Sequence, residues 1–456
     1  MLNFASPDRT LPDFTARFPQ LPSASVLFTA GALAVAAAVG IALPLVGLEQ
    51  MRWVVAGAVG LVGTGMLFTR PGIATALFLF AGLFKSDPTL SAFVPFDLTA
   101  AIAGLLTLAC FVKLFRSGRF PEFPKAYALY LPILLLMIAS LLYTPSFATG
   151  ADKLMKFALF TGLGITCPFV LFDSVRQIRV FFFTLALLGL ILSSQALTGL
   201  GGSARLVAHG TLTIQLGVAA GTVLALALGF FMPSLSFRRR VVLYPIAGAA
   251  AIALLGSGAR GPLIGVVCCA LFALWYFKQL WLDMGIFALA GSIGLAKVGI
   301  PAASISYLST LVSGDASAMG TRTGLMGLAW RLFREHPLLG VGIGGFGFYT
   351  RDAENTFPHN LFLEIGAELG FFALIAFTAL VLWASWEAYR QLRQRGFPYA
   401  REAAGVFSLL IFSFIQMVKS GDMNDNRTMW LLVGLPFLLR SLAEREASRT
   451  PDAGAA

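Results

Sequence analysis

Long apolar runs recur along the whole chain, at roughly 26–48, 52–69, 71–85, 98–116, 127–144, 154–173, 178–196, 211–232, 241–258, 262–278, 281–300, 361–386, 403–420 and 428–443. A soluble core cannot hide that much apolar surface, whereas a bilayer can. Inside the hydrocarbon no water reaches the backbone, so every N–H and C=O must be satisfied within a helix or a closed barrel. The runs lack the alternation of barrel strands, and most approach the ~20 residues that a helix needs to cross. The sequence therefore predicts an all-α, polytopic integral membrane protein with about 12–14 transmembrane helices. The third run is short; it is either re-entrant or tightly paired with the second, which keeps twelve open beside fourteen. Composition agrees, with 57% hydrophobic and 12% charged residues over a length of 456.

A net charge of +11 raises the question of nucleic acid. The cations answer it by lying in short loops between apolar runs, where they orient helices. Arg238-Arg239-Arg240 is one cluster, Lys113, Arg116, Arg119 and Lys125 a second, Arg390, Arg393 and Arg395 a third, and Arg440, Arg445 and Arg449 a fourth. Stepping alternately through the runs puts all four on one side, the cytoplasm by the positive-inside rule, with both termini there. The opposite face then holds the loops near 86–97, 145–153, 197–210, 301–360 and 421–427 and the corner Ser257–Pro262. The expected organisation is a polar, proline-bearing cytoplasmic leader over 1–25 (Pro7, Pro12, Pro19, Pro22), an uncleaved signal-anchor opening the helices of 26–300, a large outer loop over 301–360, helices over 361–443, and a disordered tail over 444–456. The four cysteines, at 110, 167, 268 and 269, fall within apolar runs. They form no Cys-x-x-Cys or Cys/His cluster, so neither a metal nor another cofactor is expected.

The 301–360 loop has order of its own. Leu325, Leu328, Ala329 and Leu332 recur at helical spacing, flanked by Arg322, Arg331 and Arg334 and stopped by Pro337. This predicts a helix over about 323–335, capped by Thr321 or Thr323, lying in the membrane interface with its apolar face down. Gly340-Val-Gly342-Ile-Gly344-Gly345 contains Gly-x-Gly-x-x-Gly without the strand, helix and βαβ unit that a dinucleotide site requires, so it reads as a tight structural turn.

Several residues are candidates for chemistry. His359, followed by Asn360 where the loop meets the next run, is one of three histidines. It either takes a proton from a hydroxyl as general base or merely anchors a helix start. Arg260 sits in a turn between two apolar runs, where a cation costs about 2.5–3.5 kcal/mol on insertion scales. Its fork suits phosphate oxygens, with a snorkelling arginine as the plain alternative. Arg205 follows Gly201-Gly202-Ser203-Ala204 and is either an anion ligand or an ordinary loop arginine, with His209 four residues on as partner or bystander. Glu364 and Glu368 fall at i, i+4 and are either orienting groups or interfacial carboxylates. Lys419-Ser-Gly-Asp-Met-Asn-Asp-Asn-Arg427 forms a polar loop whose Asp422, Asp425 and Arg427 line a cavity or touch an acceptor; it lacks the length and closing glutamate of a calcium loop.

The stretch Thr321–Phe346, with His336-Pro-Leu-Leu-Gly-Val-Gly342, then Pro358-His359-Asn360 and Glu368-Leu-Gly370, resembles the O-antigen ligase / O-antigen polymerase family of bacterial membrane glycosyltransferases. The resemblance is strong over about 320–370 and softer elsewhere. It implies His359 as catalytic base and Arg205, Arg260 and Arg322 as ligands of the donor's diphosphate. It also implies Glu368 as the family's Glu-x-Gly carboxylate, with Asn360, Asp422 and Arg427 in support. Ser257, three positions before Arg260, is a loose match to the family's Ser-x-Arg-Gly turn.

The reaction implied is metal-independent, inverting transfer of a glycan from undecaprenyl diphosphate to a hydroxyl at the periplasmic face of the bacterial inner membrane, among membrane lipids and without nucleic acid. The acceptor is lipid A-core for a ligase and the growing glycan for a polymerase, and the match is closest to the ligase pattern. Protein-transferring members tend to carry a larger C-terminal region. A polysaccharide-lipid flippase is the reading from another class. Polar groups gathered at one face and on one large loop favour surface chemistry over alternating access. A non-catalytic assembly scaffold is the third reading, and it would make His359 dispensable.

Overall fold

The computed structural model describes residues 65, 69–84, 97–118, 120–200, 202, 204–208, 211–286, 289, 302–313, 316–350 and 356–449. The expected leader, the run at 26–48, most of that at 52–69, most of 287–300, Ser203, His209 and the end of the tail lie outside them. Two compact units divide after Thr69. The first is described only around Gly65 and Thr69, where the Thr69 hydroxyl donates to the Gly65 carbonyl at 2.9 Å. Everything below concerns Arg70 onward.

The described regular elements are helical. Apart from short turns such as Phe237–Arg240, they are α1 (Pro71–Phe84), α2 (Leu98–Ser117), α3 (Tyr130–Ser140), α4 (Phe147–Lys156), α5 (Gly162–Leu171), α6 (Val175–Leu197), α7 (Thr213–Leu226), α8 (Leu243–Ser257), α9 (Arg260–Tyr276), α10 (Ala302–Ser313), α11 (Ala316–Glu335), α12 (Phe346–Thr350), α13 (Leu361–Arg393), α14 (Ala400–Lys419), α15 (Arg427–Leu432) and α16 (Leu435–Arg449). Among the described residues, six helices are long and apolar enough to cross a membrane: Leu98–Ser117, Phe147–Leu171, Val175–Leu197, Thr213–Ser234, Leu361–Arg393 and Ala400–Lys419. The pair Arg260–Tyr276 and Lys278–Ile286 adds a seventh if counted as one span, bent by 117°. The protein is an all-α polytopic membrane protein.

The apolar runs and the helices coincide closely, with three differences of physical interest. The run at 154–173 begins earlier, because α4 passes through a π-turn (Phe157–Thr161) into α5. The short third run is α1, with Ala74, Ala76 and Phe78 fully buried. The run at 428–443 is two helices, α15 and α16, interrupted at Val433-Gly434.

Local chemistry fixes the ends. Asp97 caps α2 by accepting from the Thr99 and Ala100 amides at 2.9 and 3.2 Å, and Gly118 closes it in the left-handed conformation. Along the spans, small residues allow close packing: a Cβ at Gly189 of α6 would come within 2.6 Å of the Ala219 carbonyl oxygen of α7. The helix α7 is buried along most of its length and forms the centre of the bundle.

Polar contacts tie the loops into two ends. At one end Lys113 pairs with Asp173, Arg240 with Asp283 at 2.6 Å and Arg440 with Glu387, while the Tyr276 hydroxyl donates to the Leu392 carbonyl at 2.6 Å. This end carries the basic clusters expected to share a side. The described residues of the loops expected on the opposite face lie at the other end.

Candidate functional site

The first part of the site is a turn between α8 and α9. Gly258 (φ 66) ends α8, the Ser257 hydroxyl accepts from the Ala259 amide at 3.2 Å, and Arg260 opens α9. Arg205 reaches this turn from the loop before α7. Its Nε donates to the Ser257 carbonyl at 2.9 Å and one terminal nitrogen donates to the Thr213 hydroxyl at 2.7 Å. A Cβ at Gly258 would lie 3.2 Å from that Nε. The structure thus brings Arg205 to the turn that carries Arg260, at a helix N-terminus whose dipole adds positive potential. Ser304 of α10 bonds to the Gly256 carbonyl, which pins the start of the long loop to the same turn.

The second part is the corner where that loop ends. His359 has φ 57, the one positive φ outside glycine among the described residues. Such a conformation stores on the order of 1 kcal/mol. Asn360 is extended and caps α13, its side-chain oxygen accepting from the Leu363 amide at 3.1 Å. Asn360, not His359, thus caps the helix start. The His359 ring packs edge-on against Phe357, with centroids 4.5 Å apart, and its Nδ1 is buried with no hydrogen-bond partner among the described residues. Burial, and then the positive charge of Arg322, hold the imidazole below the usual histidine range. A neutral ring with its proton-accepting capacity intact is the result.

The glycine-rich turn is docked backbone to backbone on a break in α13. At Gly370 the chain leaves helical geometry (φ 77, ψ −168), so the helix is two segments. Val341 and Gly342 donate their amides to the Ala367 and Glu368 carbonyls, each at 2.9 Å, and the Phe371 amide donates to the Pro337 carbonyl at 2.8 Å. On the other side the Thr144 hydroxyl donates to the Ile343 carbonyl at 2.8 Å, and the Ile343 amide donates to the Ser140 hydroxyl at 3.1 Å. The turn is therefore clamped between the α3–α4 loop and the first segment of α13.

Three expectations are corrected here. The amphipathic helix spans Ala316–Glu335, so Thr321 and Thr323 lie inside it and cap nothing. Its stripe does not face lipid: Leu325, Ala329 and Leu332 are buried with Val341, Phe346 and Ala367, and Leu328 packs against them. The protein itself supplies the apolar surface that a bilayer was expected to supply. Glu368, expected to orient a histidine or arginine, engages a lysine. It is fully buried, 2.7 Å from Lys153 Nζ, and its other oxygen accepts from the Phe346 amide at 3.4 Å. Glu364, equally buried, also pairs with Lys153.

The loop 420–427 completes this end. The Asp422 carboxylate accepts from the Asn424 and Asp425 amides at 2.8 and 2.7 Å, which closes the loop on itself. The Asn424 side chain donates to the Lys153 carbonyl at 3.3 Å. Arg427 donates to the Asn424 carbonyl at 3.0 Å and stands 5.0 Å over the Phe160 ring. A Cβ at Gly261 would sit 3.4 Å from Lys419 Cβ, which brings the arginine turn to the foot of this loop. The expected site residues thus gather at one end in two groups, Arg205 with Arg260 and Arg322 with His359, linked by this loop and by Lys153. Lys153 was missed by reading the sequence. Two glutamates at i, i+4 in an apolar run were its signal, since buried carboxylates need a cation.

The O-antigen ligase family model (Wzy_C) matches residues 245–378, from the start of α8 into the second segment of α13. That segment, 134 of the chain's 456 residues, is similar to the O-antigen ligase family. The match includes Arg260, Arg322, His359, Asn360 and Glu368, whereas Lys153, Arg205, Asp422 and Arg427 lie outside it. No curated protein matches the chain.

Proposed function

We propose that the protein is a glycosyltransferase that moves a glycan from a polyprenyl diphosphate, undecaprenyl diphosphate in a bacterial inner membrane, to an acceptor hydroxyl at the periplasmic face. The acceptor is lipid A-core, which makes the enzyme an O-antigen ligase. The observation that carries the reading is His359: a neutral, half-buried imidazole held at a left-handed corner beside Arg322. That ring sits at the same end of the bundle as the Arg205–Arg260 turn.

In this scheme Arg205 and Arg260 grip the diphosphate. The guanidinium of Arg205 is fixed beforehand by Ser257 and Thr213, so it stabilises the departing charge without reorganising. His359 takes the proton from the acceptor hydroxyl. The oxygen attacks the anomeric carbon as its bond to the diphosphate breaks, and the lipid diphosphate leaves with the electron pair. A single displacement inverts the anomeric centre. The arginines supply the counter-charge that a divalent cation supplies in other transferases.

The test is reconstitution of the purified protein with undecaprenyl-diphosphate glycan, with and without lipid A-core, in the presence of a chelator. Glycan on lipid A-core despite the chelator is the expected result. Longer lipid-linked glycans without lipid A-core would make the protein a polymerase. No covalent change with intact protein would overturn the transferase reading in favour of transport.

A further inference from the structure

Lys153 is a buried cation at this end, and the mechanism above does not use it. Its side chain is 9% exposed, and the two carboxylates against it, Glu364 and Glu368, are fully buried. A buried ion pair is a weak source of stability, because desolvating the charges offsets most of their attraction. Where such a group persists, the question is what its directionality fixes.

Three side chains from two segments converge on this one residue. Glu364 stands in the first turn of α13, beyond the His359–Asn360 corner, where a carboxylate is favoured by the helix dipole. Glu368 stands at the end of the same short segment, before the Gly370 break, and holds the Phe346 amide beyond the glycine turn. Asn424 of the 420–427 loop bonds to the Lys153 main chain. Lys153 itself belongs to α4, which continues into a membrane span. The segment 361–369 is too short to be a stable helix alone. It is bounded by a cap at one end and a break at the other, so its placement depends on what grips it. His359 has no side-chain hydrogen bond to Nδ1 among the described residues and takes its position from this segment.

We propose that Lys153 is a positioning residue for the transfer reaction. By bonding Glu364 and Glu368 together, it locks the first segment of α13 and the glycine turn to α4, and so sets where His359 presents its ring. The role rests on the transferase reading, while the placement of His359 is measurable without any reaction.

The test is the histidine NMR spectrum of the full chain, labelled at histidine and held in nanodiscs, alongside transfer kinetics. Only three histidines contribute. The signal of His359 is assigned by its loss in His359→Gln and is shifted by the Phe357 ring. In Lys153→Met the expected result is a broadened or displaced His359 signal with the other two unmoved. The same variant should lose about 10- to 100-fold in kcat, the range expected when a catalytic group is slightly misplaced, with the donor KM within about twofold. Lys153→Arg should restore both readouts in large part. A wild-type His359 signal in Lys153→Met overturns the proposal. Should that variant fail to fold, Lys153→Met combined with Glu364→Gln and Glu368→Gln removes the stranded carboxylates. A displaced His359 signal in this folded triple variant supports positioning, and a wild-type signal and rate overturn it. If the wild type transfers no glycan, the function is wrong, and the spectrum alone still decides whether Lys153 places His359.

Discussion

His359 combines three conditions that seldom coincide: a left-handed backbone, a half-buried ring and a neighbouring arginine. Each bears on how it would act. The left-handed backbone shapes the corner that carries the ring, burial favours its neutral form, and Arg322 opposes its protonation. His359→Gln, which keeps the polarity and removes the base, should lower the transfer rate by about 10²- to 10⁴-fold with normal membrane insertion. Retained rate in reconstituted vesicles would remove the proposed base. Arg334→Ala, on an exposed position of α11, should change little. The pH dependence follows with a definite sign. A general base works unprotonated, so the rate rises with pH through the His359 pKa, and that acid limb lies below the usual histidine range. Arg322→Gln removes a positive charge that lowers the pKa, so its acid limb should move to higher pH. A limb that stays put or moves down in a pH–rate profile would show that Arg322 does not act on the ring. At this scale the sequence was readable where chemistry is rare: a histidine in a chain with few, and arginines in otherwise apolar turns. Lys153 was not readable, because its partners lie 211 and 215 positions away and nothing local distinguishes it from a loop lysine.

At the scale of elements, the glycine turn and the break in α13 are one device. Gly340 and Gly370 both take positive φ, and both place their backbone where a side chain would collide with the other strand of the contact: Gly340 with Glu368, Gly370 with Leu338. Gly370→Ala should therefore destabilise the protein by on the order of 3 kcal/mol, since its φ and ψ fall in a region essentially reserved for glycine. Gly327→Ala is the matched control. That glycine lies within α11 with open space around it, so alanine should be neutral or stabilise by roughly 0.5–1 kcal/mol. Thermal unfolding in detergent separates the two, and equal midpoints would mean the turn does not hold the break. The turn was legible as structural, and its partner was not. Periodicity marks a helix through Gly370 because the apolar pattern continues on both sides, and only the Glu-x-Gly spacing hints that the backbone departs there. The stripe on α11 misled for a related reason: an apolar face states that it must be covered, not whether lipid or protein covers it.

At the scale of the whole molecule, helix positions among the described residues follow closely from the apolar runs, because the bilayer leaves the backbone few alternatives. Sidedness follows from a subtler count, since the histidine end is itself rich in cations, including Arg205, Arg260, Arg322, Arg331 and Lys153. Two considerations support the proposed orientation. The clusters at the other end, such as Arg238-Arg239-Arg240, occupy short connections next to helix ends, where the positive-inside rule acts. Many cations at the histidine end belong to the long segment between α9 and α13, and long loops cross largely regardless of charge. Arg239→Cys and Arg334→Cys test this, as both positions are exposed at opposite ends of the bundle. The four native cysteines sit in helices, two buried and two half-buried, which keeps background labelling low. A membrane-impermeant maleimide applied to the outer face of the inner membrane in spheroplasts should label position 334 directly. Position 239 should react only after permeabilisation. The reverse pattern would put His359 in the cytoplasm, and the acceptor would then have to be a cytoplasmic glycan rather than one assembled on the outer face.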